Sequence, residues 1–591
     1  MLVSMGSPDG PRSPDGPRLP DAPGSPDALV PTGLLADLTP SQHQAVTTSS
    51  PTVCVLASAG AGKTRVLTRR VGYRVVSGTA RPDHVVAITF TRKAADELRQ
   101  RLNDLGLPTP VTAGTFHSLA LSQLRRWWAD RRTPEPALLK RKGRLLAELV
   151  VGRPGLQDIE IGQLASLVEW AKARHVQPDG FVAAVASARR ELPANGEAIA
   201  GLYRRYEDEK RRRRLVDFDD LMSRYADALE TDGRFAAAQR WRWRHLFVDE
   251  LQDLNPLQSR LLLALLGQND DIFVVGDPNQ AIYGWNGADP AFLASIPERW
   301  PDAEVVRLDE NHRSSPQVVA AACSALGRHS GAVRSSRPDG PAPRLRSYAS
   351  EDAEAQSVAA QLLEAHARGL QWADLAVLTR TNSQAGVISQ ALLDGGVPLR
   401  AAAATDGFAL VEEEERGHPG AGQPDDAVTV CTFHRAKGLQ WAAVWVCGLE
   451  AGFVPIAYAS SAEAVAEERR LLYVALTRAE RELHCSWARE RKTSNGKALR
   501  RDPSPWLSAL APHCDVDNGL VGPWTGAPSG QDGRREPGPS GSRRVMLASL
   551  ASARGRLAFT RTRRTTAAPV EADPATTAVV ERLQEWRRRL S

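Results

Sequence analysis

Short runs of β-branched and other apolar residues recur along this chain. Each is followed by a polar loop and then by a stretch with apolar residues three and four apart. The runs are Val53–Leu56, Val85–Phe90, His245–Val248, Asp271–Val275, Leu375–Leu378, Val428–Thr432 and Ala442–Val446. Strand, loop and helix in repeated succession predict doubly wound α/β layers. Between Leu119 and Val216 the strand pattern stops. Trp127, Trp128, Leu138, Leu145, Leu149, Leu164, Leu167 and Trp170 fall at helical spacing there, which predicts an all-α insertion.

Punctuation divides the rest. Residues 1–35 repeat SPDGPR twice and continue rich in proline, with little apolar area to bury, so a disordered leader is expected. The first α/β unit is then expected over 36–118 and 216–326, interrupted by the helical insertion 119–215. A Gly/Pro/Ser-rich linker, 327–344, leads to a second α/β unit over 345–512, which contains an acidic loop at 406–426. The tail, 513–591, is basic and of low complexity, although Val579, Val580, Leu583, Trp586 and Leu590 trace one short helical face.

Composition narrows the class. With 42% hydrophobic and 24% charged residues in 591, the chain is an ordinary globular sequence and not a wholly disordered one. Its longest apolar run, Trp441–Cys447, is far short of the ~18 residues of a membrane-spanning helix. A net charge of +6 permits an anionic partner without demanding one. The KRRRR run Lys210–Arg214, taken alone, reads as a solvated helix face, as does WRRR at Trp586–Arg589. Six cysteines form no CxxC pair, and no secretory signal precedes the first unit, so a reduced, cytoplasmic protein without zinc or iron–sulfur sites is expected.

The strongest chemical signal follows the first strand. Residues Ala57, Ser58, Ala59, Gly60, Ala61, Gly62, Lys63 and Thr64 spell ASAGAGKT, a phosphate-binding loop between strand and helix. Its glycines let backbone N–H groups turn toward phosphate oxygens, Lys63 reaches the β- and γ-phosphates, and the Thr64 hydroxyl holds Mg²⁺. Such a loop needs acids on a neighbouring strand. HLFVDE supplies Asp249 to orient the metal and Glu250 to activate water. Arg313 in LDENHRSS and Arg478 in YVALTRAE are the candidate cations for γ-phosphate charge.

Further motifs stand in order: LTPSQHQAV, ITFTRKAADELRQRL, GTFHSLA, VDFDDL, VDELQDLN, VVGDPNQAIYGWNGA, LDENHRSS, VLTRTN, VTVCTFHRAKGLQW and EERRLLYVALTRAE. Together, over about Leu38 to Leu510, they resemble the UvrD/PcrA/Rep branch of superfamily 1 DNA helicases. The resemblance implies two RecA-like P-loop domains, a helical 1B insertion, ATP and Mg²⁺ as cofactors, and single-stranded and tailed duplex DNA as partners. It implies that Gln42 reads adenine with Arg65 beside the base, that Gln280 senses the γ-phosphate, and that Arg313 and Arg478 are the γ-phosphate arginines. It also implies that Phe90, Thr115, His117, Phe218, Tyr283, Trp285 and His434 line the single-strand track. Aromatic faces stack on bases without reading sequence, at ~1–3 kcal/mol per base.

Three departures stand out. His312 occupies the place of a Tyr that stacks on adenine, Asn286 replaces an Arg of the DNA track, and Gln440 replaces a Glu that contacts the nucleotide sugar. Where relatives carry a sizeable 2B insertion, only 406–426 is present here. The expected activity is a 3′-to-5′ translocase and helicase serving DNA repair, replication or recombination. The alternatives are a DNA-stimulated translocase that needs a partner, expected to dock on the tail, to unwind, and a non-catalytic DNA-binding adaptor. A nuclease–helicase is disfavoured because the tail offers no acidic metal cluster with a catalytic lysine.

Overall fold

The computed structural model describes residues 32–327, 333–401, 426–493 and 495–516. The expected leader up to residue 31, most of the loop 406–426 and the tail from 517 lie outside the described residues. The chain forms two compact units, one built on residues up to Val319 with 333–338, the other on the remainder. No helix among the described residues is long and apolar enough to cross a membrane.

The first unit is built on a six-stranded sheet: β1 (Thr52–Ala57), β2 (Val85–Thr89), β3 (Thr112–Thr115), β4 (His245–Val248), β5 (Ile272–Gly276) and β6 (Glu304–Leu308). The strand order is β3-β2-β4-β5-β1-β6 and every pairing is parallel. Alternate residues of each strand serve different cores. Val86, Ile88, Leu246, Val248, Ile272 and Val274 face one apolar layer; Val85, Ala87, Phe247, Phe273 and Val275 face another. A sheet buried on both faces explains why these strands read as continuous apolar runs.

Helices α1 (Pro40–Thr47), α2 (Lys63–Val76), α3 (Phe116–Asp130), α4 (Lys142–Val150), α5 (Ile161–Ala173), α6 (Gly196–Arg213), α7 (Phe218–Thr231) and α8 (Pro256–Leu266) follow in order. Phe116, Leu119, Ala120, Leu124 and Trp128 of α3 pack into the sheet's core beside α7 and α8. The independent helical core runs from Leu145 to Tyr206. Sequence periodicity alone gave no sign of this, because a helix on a sheet and a helix in a bundle share one apolar spacing. Ala137–Leu138 pairs with Leu215–Val216, so the chain leaves for the helical segment and returns side by side.

The second unit is a seven-stranded sheet of β7 (Arg344–Tyr348), β8 (Leu375–Thr379), β9 (Leu399–Ala401), β10 (Val428–Thr432), β11 (Trp441–Val446), β12 (Ala479–Ala488) and β13 (Asp515–Val516). Its order is β9-β10-β8-β11-β12-β7-β13, again all parallel. Helix α9 (Glu351–Ala367) and helix α10 (Asn382–Asp394) pack on one face, and α11 (Ala462–Leu476) leads into β12. Strand β13 carries the folded body beyond the expected limit at 512. Two parallel, helix-covered sheets are the α/β architecture of paired RecA-like domains.

Candidate active site

The phosphate loop leaves β1 and enters α2 through two glycines in the left-handed region, Gly60 (φ 73°) and Gly62 (φ 81°). Gly62 is the N-cap of α2 and offers no side-chain acceptor, so the first N–H groups of the helix stay available to an anion. At Gly60 a Cβ would stand 2.8 Å from Arg313 Cβ and 2.9 Å from Asn311 Oδ1, so only glycine fits. The segment after β6 is laced to this loop. His312 N–H donates to Gly60 O at 2.9 Å, Asn311 Nδ2 donates to Ala59 O at 2.8 Å, and Ser58 N–H donates to Leu308 O at 3.1 Å. Asn311 Oδ1 also accepts from the backbone N–H groups of Arg313 and Ser314, both at 2.8 Å.

The residues assigned to the base gather beside Ala61. Gln42 is buried on α1, where Thr39 forms a reciprocal capping box with it. Its Nε2 donates to Ala61 O at 3.0 Å and lies 3.3 Å from His312 Nε2. The fully buried Arg70 of α2 fixes α1 by donating to the carbonyls of Ala45, Val46, Thr48 and Ser50. Those carbonyls lie at and beyond the end of α1 and lack helical partners. Arg65 turns to Ala36 O at 3.3 Å.

The two carboxylates expected to serve hydrolysis stand at the end of β4. Thr64 Oγ1 donates to Asp249 Oδ2 at 3.3 Å, and Lys63 Nζ lies 3.9 Å from Glu250 Oε1. Asp249 is buried, and burial, aided by the neighbouring Glu250 charge, pushes its carboxyl up to about 7. Glu250 holds φ at 53°, a conformation that costs a side-chain-bearing residue ~1 kcal/mol or more. Gln252 Nε2 donates to Glu250 Oε2, while Gln252 Oε1 accepts from Asp277 N–H at 2.9 Å. Asp277 Oδ2 then accepts from Gln280 Nε2 at 2.7 Å. A hydrogen-bonded relay therefore runs from Glu250 to Gln280.

The other assigned residues fall into two groups. In the first unit, Thr115 is the N-cap of α3 and Phe218 the first residue of α7; the rings of His117 and Phe218 meet edge to face at 5.8 Å. Phe90 packs edge-on to Phe116 at 6.0 Å. Tyr283 and Trp285 lie half-buried on the turn after Gln280, where Trp285 O accepts from Arg190 at 2.9 Å. In the second unit, Arg478 is 2% exposed and donates to Val474 O at 2.8 Å and to Leu439 O at 3.1 Å. Exposed Gln440 is therefore its neighbour. His434 follows β10, and burial beside Arg380 and Lys437 pushes its imidazole down to about 3.

Comparison with known proteins supplies the family. Residues 38–301 match the UvrD/REP helicase N-terminal domain, and 306–412 and 406–490 match the UvrD-like helicase C-terminal domain. The chain belongs to the UvrD/Rep family of ATP-dependent DNA helicases. It is 35% identical over 583 residues to the ATP-dependent DNA helicase UvrD2 of Mycobacterium tuberculosis (strain ATCC 25618 / H37Rv), covering 82% of this chain and 83% of the relative. It is 28% identical over 382 residues to the ATP-dependent DNA helicase PcrA of Staphylococcus aureus (strain NCTC 8325 / PS 47), covering 62% of this chain and 50% of that relative.

Three residues of this helicase escaped the motif reading. Asn311, Gln252 and Asp277 touch no assigned ligand position, yet they hold the residues that do. Their signal was available: each sits within a quoted motif, within three residues of one with an assigned role. The KRRRR run divides in two. Lys210 is fully buried, whereas Arg211, Arg212 and Arg213 pair with Asp208 and Glu209 on their own helix.

Proposed function

We propose that this helicase is an ATP-driven motor that moves 3′ to 5′ along single-stranded DNA and separates duplexes. The single observation that carries the reading is the convergence of Lys63, Thr64, Asp249 and Glu250 beside a glycine-turned loop, with the relay through Gln252 and Asp277 to Gln280. The donor set fits a divalent cation. A hydroxyl and a carboxylate oxygen lie 3.3 Å apart, and a carboxylate with so raised a pKa gains much from a nearby cation. Magnesium, when bound by Thr64 and Asp249, supplies positive charge to the phosphates.

The protein groups do the rest. Backbone N–H groups at the start of α2 and the Lys63 ammonium hold the phosphates. Gln42 and His312 receive the base. Glu250 takes the proton of the attacking water, and Arg313 and Arg478 meet the charge that develops on the γ-phosphate oxygens. Gln280 carries the state of the nucleotide toward Tyr283 and Trp285. These, with Phe90, Thr115, His117, Phe218 and His434, line the strand by stacking and polar contact.

The chain lacks a 2B-sized insertion. Two features support this reading. The C-terminal family match comes in two pieces that meet at 406–412, and the alignment to UvrD2 is longer than the part of this chain it covers. Translocation is therefore expected to be efficient alone, with unwinding dependent on a partner or on the chain's own tails. Translocation and strand displacement measured separately on 3′- and 5′-tailed duplexes test both points. Movement on 3′-tailed DNA with weak displacement is the expected result. Preference for a 5′ tail overturns the polarity, and strong displacement by the chain alone overturns the dependence.

A further inference from the structure

The sequence Arg240–Trp241–Arg242–Trp243–Arg244 alternates cation and indole immediately before β4. The two tryptophans have opposite fates. Trp243 is 1% exposed and packs in the sheet's core, whereas Trp241 is 63% exposed. The exposed indole is held rather than loose. His84 meets it edge to face with centroids 4.5 Å apart, and the Arg244 guanidinium lies 5.5 Å from its ring centre. The Arg242 guanidinium lies 4.7 Å from the ring centre of the buried Trp243, and burial first, then the nearby exposed Arg126 of α3, disfavours its charge. Among the described residues, no carboxylate forms a salt bridge with Arg126, Arg242 or Arg244. Beside them lies a hollow of about 250 Å³ whose wall includes Arg126, Arg242, Ser122 and Leu119.

An ordinary structural role accounts for only part of this. Cations near the end of the helix that closes at Arg242 complement its dipole. Arg244 and Arg126 lie outside that last turn, and dipole compensation needs no exposed indole. Guanidiniums without a salt-bridge partner among the described residues, one of them at a fixed aromatic face, are instead the elements of a sequence-tolerant nucleic-acid contact. Strand β4 spans four residues from this patch to Asp249, so the patch lies at the opposite end of the strand from the hydrolytic carboxylates.

We propose that Trp241, with Arg126, Arg242 and Arg244, forms a second contact for a nucleic-acid strand, in which the indole stacks on a base and the arginines neutralise adjacent phosphates. The inference rests on the reading of this protein as a DNA motor, but not on the residues assigned to the strand track. Its use would be to hold DNA that extends beyond that track.

The test uses the full chain, wild type and with Trp241→Ala or with Arg126→Gln and Arg244→Gln together. Affinity is measured for a short oligothymidylate that fills only the track and for a longer one. Each variant is expected to lose about tenfold in affinity for the long oligonucleotide. The double arginine variant should also show a shallower salt dependence, by about one to two in log–log slope. Binding of the short oligonucleotide, and the ATP turnover it stimulates, should not change. Equal loss for both lengths, or no loss for either, overturns the proposal. So does polyglutamate that displaces the long oligonucleotide from wild type but not from the variants, since the surface would then be one for acidic peptides. Failure of the short oligonucleotide to stimulate turnover in wild type counts separately, against the motor reading itself.

Discussion

Lys63 and Asp249 show how burial sets chemistry at single residues. Lys63 is the proposed phosphate-reaching cation, and Lys63→Ala is expected to lower ATP turnover at least ~100-fold, the scale of removing one transition-state charge partner; steady-state hydrolysis assays read this directly. Asp249 is held against its own ionisation. Its folded pKa, about 7, lies above the ordinary 3.8, so the folded state binds the proton more tightly. Stability therefore falls as pH rises from about 4 to about 7 and stays low above that. Asp249→Asn removes the penalty. It should raise the melting temperature at pH 8 by ~2–4 °C or more while abolishing hydrolysis; an unchanged or lower melting temperature would show that the carboxylate is not strained. Gln252→Ala cuts the relay without touching nucleotide. A turnover loss of about tenfold is expected, the scale of losing an outer-shell partner, with nucleotide affinity held. A matching loss of affinity would place Gln252 in the pocket instead.

At the scale of elements, the helical segment is joined to the sheet unit by charge as well as by apolar contact. Lys172 of α5 and Lys210 of α6 both contact Asp217, the N-cap of α7, and Asp220 one turn on, at 2.5–2.8 Å. Tyr206 donates to Asp217 at 2.9 Å, and Lys142 of α4 reaches Asp219 at 2.6 Å. The two lysines hold the Asp217 carboxyl well below its usual range despite complete burial. Removing one partner of such a cluster leaves uncompensated buried charge, so Lys172→Met should cost about 3–5 kcal/mol of stability by denaturant unfolding. A cost under ~1 kcal/mol, the range of exposed pairs, would show the cluster to be hydrated. Here the sequence was least legible, since a basic run reads as solvated until the acids of another helix are seen to face its lysine. Strands covered on both faces were legible from their apolar runs. Thr112–Thr115, a short edge strand of small and polar residues, was not, nor was Ala479–Ala488, whose first half is charged. That the glycine-rich loop and the acids after β4 would stand together was legible, because the chemistry expected of them fixes both residue type and spacing. Asn311 and Asp277 act through hydrogen bonds that only the folded chain brings together.

For the whole molecule, the account joins a nucleotide site to movement on a strand. Arg478 is proposed to meet γ-phosphate charge, and on that proposal Arg478→Ala should abolish translocation even where ATP still binds, as a fluorescent nucleotide would report. Hydrolysis that persists alongside translocation in that variant would free Arg478 of the role. The most direct measurement is ATP turnover by the purified full chain with and without single-stranded oligonucleotide, with Lys63→Ala as control. The account predicts slow turnover that rises strongly with the oligonucleotide and vanishes in the variant. Turnover that ignores the oligonucleotide, or that survives the loss of Lys63, would contradict it.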